Sequence, residues 1–386
     1  MSPHSTTPRS LPRMPVKQKM AVSLKSLMSS VLGGGKASTP AYDELFEKTD
    51  PQKDGEECLH DCDGCTVRYP RGFKIDEEDV LYGQVKGWST HVLVGTGKTD
   101  WVRDVGDEKG SVMEAISKAD GPTNGRLMLS ASNMPTPHDT SDYSEPTTVL
   151  LLPAFTLVEN VHPTNVTTLI TELINKAPTT MSPLTTPSLP KSLPGLDADV
   201  PVLETKACPH SAVILMCSHR TRDARCGQSA PLLRKEFERH LRPLGLYRDL
   251  HDERPGGVGI YFINHVGGHK YSANVMIYRR PNAFGQDEVV EAAGHSDSTA
   301  TNGSSNGTNG TSNGASNGTS NGTSNGTSNG DGAKPDVGAA QGIWLARVKP
   351  EDCENLIRYT VLKGKLVKPE SQLRGGFDRV KGLTSW

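Results

Sequence analysis

Four residues in the second half of the chain have the types and spacing of a metal site. Cys217 and Cys226 are separated by eight residues in CSHRTRDARC, and His265 and His269 by three in HVGGH. Thiolates and neutral imidazoles are the donors that zinc and iron–sulfur centres use. Two Cys with two His fit a closed tetrahedral zinc site, or a [2Fe–2S] cluster carrying two His on one iron. The Cys spacing is wide for a zinc knuckle, where about two to four residues intervene. Arg220, Arg222, Arg225, Lys270, Arg279 and Arg280 crowd the same segments. Such cations would stabilise a net-negative cluster and could dock an acidic redox partner. The plainer alternative is a buried Cys at a strand end beside two hydrogen-bonded histidines.

A second cysteine group is Cys58, Cys62 and Cys65 in CLHDCDGC. Cys62 and Cys65 form a C-x-x-C, which serves thiol–disulfide exchange or zinc, and His60 could complete a metal set. No apolar strand precedes the pair, as a thioredoxin active site requires. Asp61 and Asp63 would raise the thiol pKa values and dull reactivity. Inert or locally structural cysteines are the competing reading, and Cys208 and Cys353 read as core residues. Gly95-Thr-Gly-Lys-Thr99 resembles the tail of a phosphate-binding loop, but the glycine needed at position 92 is Val92. No nucleophile-elbow pattern suggests Ser/His/Asp catalysis.

Positioning the four donors requires regular elements around them. Ala212 to Met216 reads as a buried strand that delivers Cys217, and Val258 to Asn264 as a second that delivers His265. Residues at the carboxyl ends of strands gather at one edge of an open α/β sheet, so the donors can converge. Gly267 and Gly268 let the backbone turn so that both imidazoles face one centre. Pro231 to Leu244 reads as a helix capped by Ser229, with Leu233, Phe237, Leu241 and Leu244 on one face. Ala273 to Arg279 and Gly342 to Val348 read as strands, and Pro350 to Lys363 as a helix stopped by Gly364. Strand, helix, strand, strand, strand, helix is a thioredoxin-type order, with the loop His265 to Tyr271 replacing the usual second helix. Further upstream, Trp88 to Gly95, Arg126 to Ser132 and Thr147 to Val158 read as strands. Ser111 to Ala119 and Asn165 to Lys176 read as helices, so this part is a small α/β domain.

The chain has 386 residues, enough for two domains with disordered segments between them. Only 34% of residues are hydrophobic and 5% aromatic, which fits that dilution. Residues 1–55 are expected to be a disordered basic tail. The first 42 residues hold six Lys or Arg and no Asp or Glu, a loose match to a mitochondrial transit peptide. An N-terminal domain is expected at 56–176, a Pro/Ser/Thr-rich linker at 177–205 and a C-terminal domain at 206–386. The Asn-Gly tract at 296–332 reads as a disordered insertion in a hairpin, because it lacks the apolar residues to offset its ordering entropy. A net charge of −2 gives no case for nucleic-acid binding. No apolar run approaches the ~20 residues needed to span a membrane. The seven cysteines form no even-numbered disulfide framework, which points to a reduced intracellular compartment.

The blocks CSHRTRDARCGQSAP, GLYRD, INHVGGHKYSANVMIYRR and GIWLARV resemble fungal members of the sucrase/ferredoxin-like family. The likeness is dense over the C-terminal domain and weaker at Cys58 to Cys65 and Gly95 to Trp101. It implies two thioredoxin-like domains, the second a thioredoxin-like ferredoxin. It implies a [2Fe–2S] cluster with Cys217 and Cys226 on one iron, and His265 and His269 on the other. The implied role is electron transfer in redox homeostasis, with unnamed donor and acceptor; a thiol oxidoreductase using Cys62 and Cys65, or a zinc-stabilised binding module, are the alternatives. Neutral imidazoles in place of thiolates raise the reduction potential above that of an all-Cys ferredoxin. An imidazole with one nitrogen in solvent gains proton affinity on reduction, so the potential is expected to vary with pH. Trp386, after Leu383-Thr384-Ser385, resembles the terminal signal read by cytosolic iron–sulfur assembly factors, with Thr384 where an aliphatic residue is usual. That favours a cytoplasmic location over a mitochondrial one.

Overall fold

The computed structural model describes residues 39–194, 201–287 and 336–386, and Thr39–Trp386 form one compact unit. The acid-free start of the chain, up to residue 38, and the Asn-Gly tract at 296–332 lie outside the described residues. Two short helices come first, α1 (Tyr42–Leu45) and α2 (Pro51–Asp54). The first half then holds β1 (Thr90–Gly95), α3 (Val112–Lys118), β2 (Leu127–Ser132), β3 (Thr147–Leu152), β4 (Thr156–Val161) and α4 (Val166–Thr168). Short strands β5 (Ser192–Leu193) and β6 (Leu203–Ala207) lead to β7 (Ala212–Cys217) and the long helix α5 (Ala224–Leu241). Then follow β8 (Tyr247–Arg248), β9 (Val258–Ile263), β10 (Val275–Arg279) and β11 (Gln341–Leu345). The chain finishes with α6 (Cys353–Asn355), α7 (Pro369–Gln372), β12 (Leu373–Asp378) and β13 (Leu383–Thr384).

All described strands belong to one 13-stranded sheet, in the order β13-β12-β11-β10-β7-β9-β2-β1-β3-β4-β6-β5, with β8 beside β9. The fold is thus mixed α/β. The same arrangement occurs twice within it. β1 and β2 are parallel, joined across α3, while β3 and β4 add antiparallel on the far side of β1. β7 and β9 are likewise parallel, joined across α5, while β10 and β11 add antiparallel on the far side of β7. The two sets meet where β2 and β9 pair antiparallel through Ser132 and Ile263.

Strand periodicity explains where the core sits. Alternate residues point to opposite faces. In β7, Ile214 and Met216 pack under Leu233 and Phe237 of α5, while in β1, Val92 and Val94 pack under Ile116 of α3. The opposite faces of both sets share a third core, where Leu93 and Leu150 join Leu215, Tyr278 and Trp344. Because both faces are covered, β1, β7 and β9 are buried at every position, and apart from Thr90 and His91 in β1 they read as runs without charge or strong polarity.

Several elements differ from expectation. The helix expected from Pro231 begins seven residues earlier, at Ala224. Asp223 caps it by accepting from the Arg225 N–H, and Pro231 lies within it. The run Thr147 to Val158 is two strands joined by a tight turn at Pro153–Phe155. Leu152, Pro153, Ala154 and Phe155 are all buried, so hydropathy does not mark the turn. Order begins ahead of Cys58, because Leu45 and Phe46 are fully buried and Lys48 pairs with Leu366. The start of the Pro-rich stretch, at residues 180–183, is bonded into the fold. Thr180 donates to the Trp88 carbonyl, and the buried Arg379 guanidinium donates to the carbonyls of Ser182 and Pro183.

Candidate metal centre

Cys217 is the last residue of β7 and is buried. Cys226, fully buried, lies in the first turn of α5. His265 follows β9, the parallel neighbour of β7, so both strand ends arrive at one edge. The donor atoms of Cys217, Cys226 and His265 lie within 4.8 Å of one another, with Cys217 Sγ 3.9 Å from His265 Nδ1. His269 stands outside this trio and is exposed, its Nδ1 3.5 Å from His265 Nε2. Three of the four expected donors therefore converge, and the fourth borders them from the solvent side.

The loop bearing the imidazoles is held from below. Gly267 and Gly268 adopt φ of +93° and +70°, which only glycine takes at little cost. The buried Arg374 guanidinium donates to the Gly267 carbonyl at 2.9 Å and to Asn274 Oδ1 at 2.8 Å. The Asn274 amide in turn donates to the Gly268 carbonyl at 3.0 Å. His269 then opens a single 3₁₀ turn, His269–Tyr271.

Electrostatics at the centre favour an anionic sulfur at Cys226. The hydrogen bond between the thiols holds Cys226 below the usual thiol range; the same bond and burial push Cys217 well above it. Backbone N–H groups of His219 and Val266 point at the Cys217 sulfur, and His265 draws Cys226 down further. Such N–H···S contacts are one way a protein sets the potential of a thiolate-held cluster. Arg225 holds the Asp223 carboxyl below its usual range through two contacts of 2.9 Å, and Asp223 Oδ2 is 3.9 Å from His269 Nε2.

Residues that spacing alone did not single out complete the site. His219 is fully buried, and burial lowers its pKa, so the imidazole is neutral. Its Nε2 faces the Trp101 carbonyl at 3.0 Å, and its Nδ1 lies 3.2 Å from the His265 backbone nitrogen. The tautomer with hydrogen on Nε2 satisfies both, and orients the His265 backbone. Asp100 accepts from the Thr221 N–H and hydroxyl, and the Ser218 hydroxyl donates to the Thr99 carbonyl at 2.7 Å. The segment that resembles a phosphate loop therefore clasps the Cys217–Cys226 loop. The signal was present: Ser218, His219 and Thr221 lie inside the cysteine block itself.

The arginine cluster is only partly at this edge. Arg279 pairs in register with Ala212, the opposite end of β7 from Cys217, and its buried guanidinium binds Asp287 and the Val361 carbonyl. Arg280 is tied to Asp336 and the Cys208 and His210 carbonyls. Lys270 pairs with Asp76 and Asp79. Arg220, Arg222 and Arg225 remain near the donors, Arg220 exposed. Cys58, Cys62 and Cys65 are buried away from the centre, as are Cys208 and Cys353 in the core. His60 does not join the cysteines; it is exposed, and its carbonyl accepts from Asn355. Trp386 stacks on Trp88 with ring centroids 4.3 Å apart.

Fold and site together define a mixed α/β protein with a cysteine–histidine centre at the carboxyl edge of a parallel strand pair. The chain belongs to the sucrase/ferredoxin-like family, whose profile matches residues 81–375. It is 32% identical over 252 residues to actin patches distal protein 1 of Saccharomyces cerevisiae, covering 58% of this chain and 74% of that protein. Altered inheritance of mitochondria protein 32 of Clavispora lusitaniae is 39% identical over 71 residues, 18% of this chain and 22% of that one. The same-named protein of Debaryomyces hansenii is 33% identical over 97 residues, 24% of this chain and 32% of that one. No solved structure matches the chain. Among the described residues, no helix is long and apolar enough to cross a membrane.

Proposed function

We propose that this chain is a [2Fe–2S] electron-transfer protein of redox homeostasis, with Cys217, Cys226, His265 and His269 as the ligands. The observation that carries the reading is the convergence of Cys217, Cys226 and His265 within 4.8 Å, with His269 adjoining. The donor set fits the group: two buried sulfurs, one of them held below the usual thiol range, and two imidazoles on a glycine-hinged loop. Bound there, the cluster supplies one-electron chemistry, at a potential above that of an all-Cys centre. The protein's own groups do the rest. Arg374 and Asn274 fix the histidine loop, His219 orients the His265 backbone, and Asp223 faces the exposed imidazole of His269. That exposure supports the proton coupling expected above.

The repeated strand order supports a reading of two thioredoxin-like units, the second holding the centre. A cytoplasmic location belongs to the same proposal, with the mitochondrion as the alternative. An assembly factor that reads Trp386 would first have to lift its ring from Trp88. The thiol-oxidoreductase alternative is less well supported, because burial raises the thiol pKa values of both Cys62 and Cys65. The test is the visible spectrum of anaerobically purified protein, with iron and acid-labile sulfide assayed together. Sulfide-to-iron charge-transfer bands are expected, lost in Cys217→Ala and His265→Ala. A colourless protein that reconstitution cannot colour overturns the proposal.

A further inference from the structure

A second set of donors lies at the other end of α5. Cys226 is in the first turn of that helix and His240 in its last. Fourteen steps of 1.5 Å put them roughly 21 Å apart along the axis. The donor atoms of Cys62, His240 and Glu354 lie within 4.8 Å of one another, from three segments distant in sequence. Cys62 Sγ is 3.9 Å from His240 Nε2. Glu236, one helical turn before His240, places its Oε2 3.8 Å from the same nitrogen. Glu236 is fully buried, and its Oε1 finds no hydrogen-bond partner. A buried carboxylate oxygen left without a donor is costly, and it belongs to the same carboxylate whose Oε2 faces the His240 imidazole.

One cation already occupies the gap between these groups. The Arg239 guanidinium lies 2.7 Å from Glu236 Oε2, 3.0 Å from His240 Nε2 and 3.4 Å from Cys62 Sγ. Its side chain is 40% exposed, so it can swing outward without disturbing the core. Glu354 also pairs with Arg358 at 2.9 Å. One thiolate, one imidazole and two carboxylates are donors that zinc accepts in four-coordinate sites. Calcium and magnesium prefer oxygen alone.

We propose that Cys62, His240, Glu354 and Glu236 bind a zinc ion in exchange for the Arg239 guanidinium, separately from the Cys217 centre. The ion would tie the irregular segment around Cys62 to the end of α5 and to α6. Part of that contact exists already, since the Cys62 N–H donates to the Glu351 carbonyl and Asn355 donates to the Glu57 and His60 carbonyls.

The experiment loads full-length protein with zinc anaerobically, removes loose metal, and times zinc loss to a chromophoric chelator. One slowly released zinc per chain is expected. It is to be absent from Cys62→Ser and His240→Gln and retained in Cys217→Ser. Circular dichroism of each variant checks the fold. Arg239→Gln keeps every donor and removes the competing cation, so it stays informative should Cys62→Ser unfold. Loss of a charge-assisted contact corresponds to about tenfold tighter zinc binding in that variant. Slow zinc that survives in His240→Gln, or that vanishes in Cys217→Ser, overturns the proposal. So does the absence of slow zinc from both the wild type and Arg239→Gln.

Discussion

The hydrogen bond between Cys217 and Cys226 drives their acidities apart, Cys226 toward the anion and Cys217, with burial, toward the neutral thiol. Deeper in the sheet another titratable group shows the opposite design. His91 is fully buried between Tyr278 Oη and Ser130 Oγ, each at 2.9 Å, and burial pushes its pKa down to about 3. The unfolded chain would titrate near 6.5. Between those values the unfolded state binds a proton that the folded state refuses. Stability present above about pH 6.5 is therefore lost as pH falls, by up to about 1.4 kcal/mol per unit. His91→Asn is expected to lower the Tm at pH 7, yet to flatten its decline between pH 6.5 and 4.5. A decline as steep as the wild type's sinks this account. At this scale the four ligand candidates are legible as residue types at suggestive spacings. Asp100 is not, because its work is to hydrogen-bond to Thr221 across a chain separation that no local pattern reveals, whereas His219 at least lies inside the cysteine block.

The elements that carry the donors are two strand ends, one helix start and one glycine turn. The helix start was the element misjudged, and the reason is local. Pro231 looks like a first-turn residue, whereas the true cap, Asp223, is shared with a pairing to Arg225. Starting at Ala224 moves Cys226 from a loop into a first turn and fixes it against Cys217. The glycine turn expected from HVGGH is present, but it leaves His269 beside the trio rather than in it, and the turn can be tested. A Cβ at Gly268 would come within 2.9 Å of the Arg374 guanidinium, at φ of +70°. Gly268→Ala should cost about 1–2 kcal/mol from the backbone alone. Visible absorbance per protein is expected to fall while the far-ultraviolet circular dichroism is kept. Full colour in that variant would show that His269 does not depend on this turn.

Across the whole molecule, the two strand sets share a core and a continuous sheet. The strands and helices of each set were legible from apolar runs and helical spacing. Their union was not, since Leu93, Leu215 and Tyr278 share one core although they come from regions that each read as self-sufficient. Arg379 shows how much polar bonding supports that union. Its guanidinium donates to the carbonyls of Ser182, Pro183, Val337 and Ala339 at 2.7–2.9 Å and is 3% exposed. Arg379→Ala leaves those acceptors without their donor, at a cost of about 3 kcal/mol or more. The urea midpoint should drop with the slope unchanged. A midpoint equal to the wild type's would mean water replaces the guanidinium freely.

The early residues around Glu57 are completed by Asn355, a partner 298 positions later in the chain. On a ribosome moving at roughly 5–20 residues per second, that partner emerges about 15–60 s after them. Until then the thiols of Cys58, Cys62 and Cys65 have no pocket to occupy. The newborn chain is thus open to oxidants and to passing metal until Asn355 has emerged, and closes over these cysteines only after that.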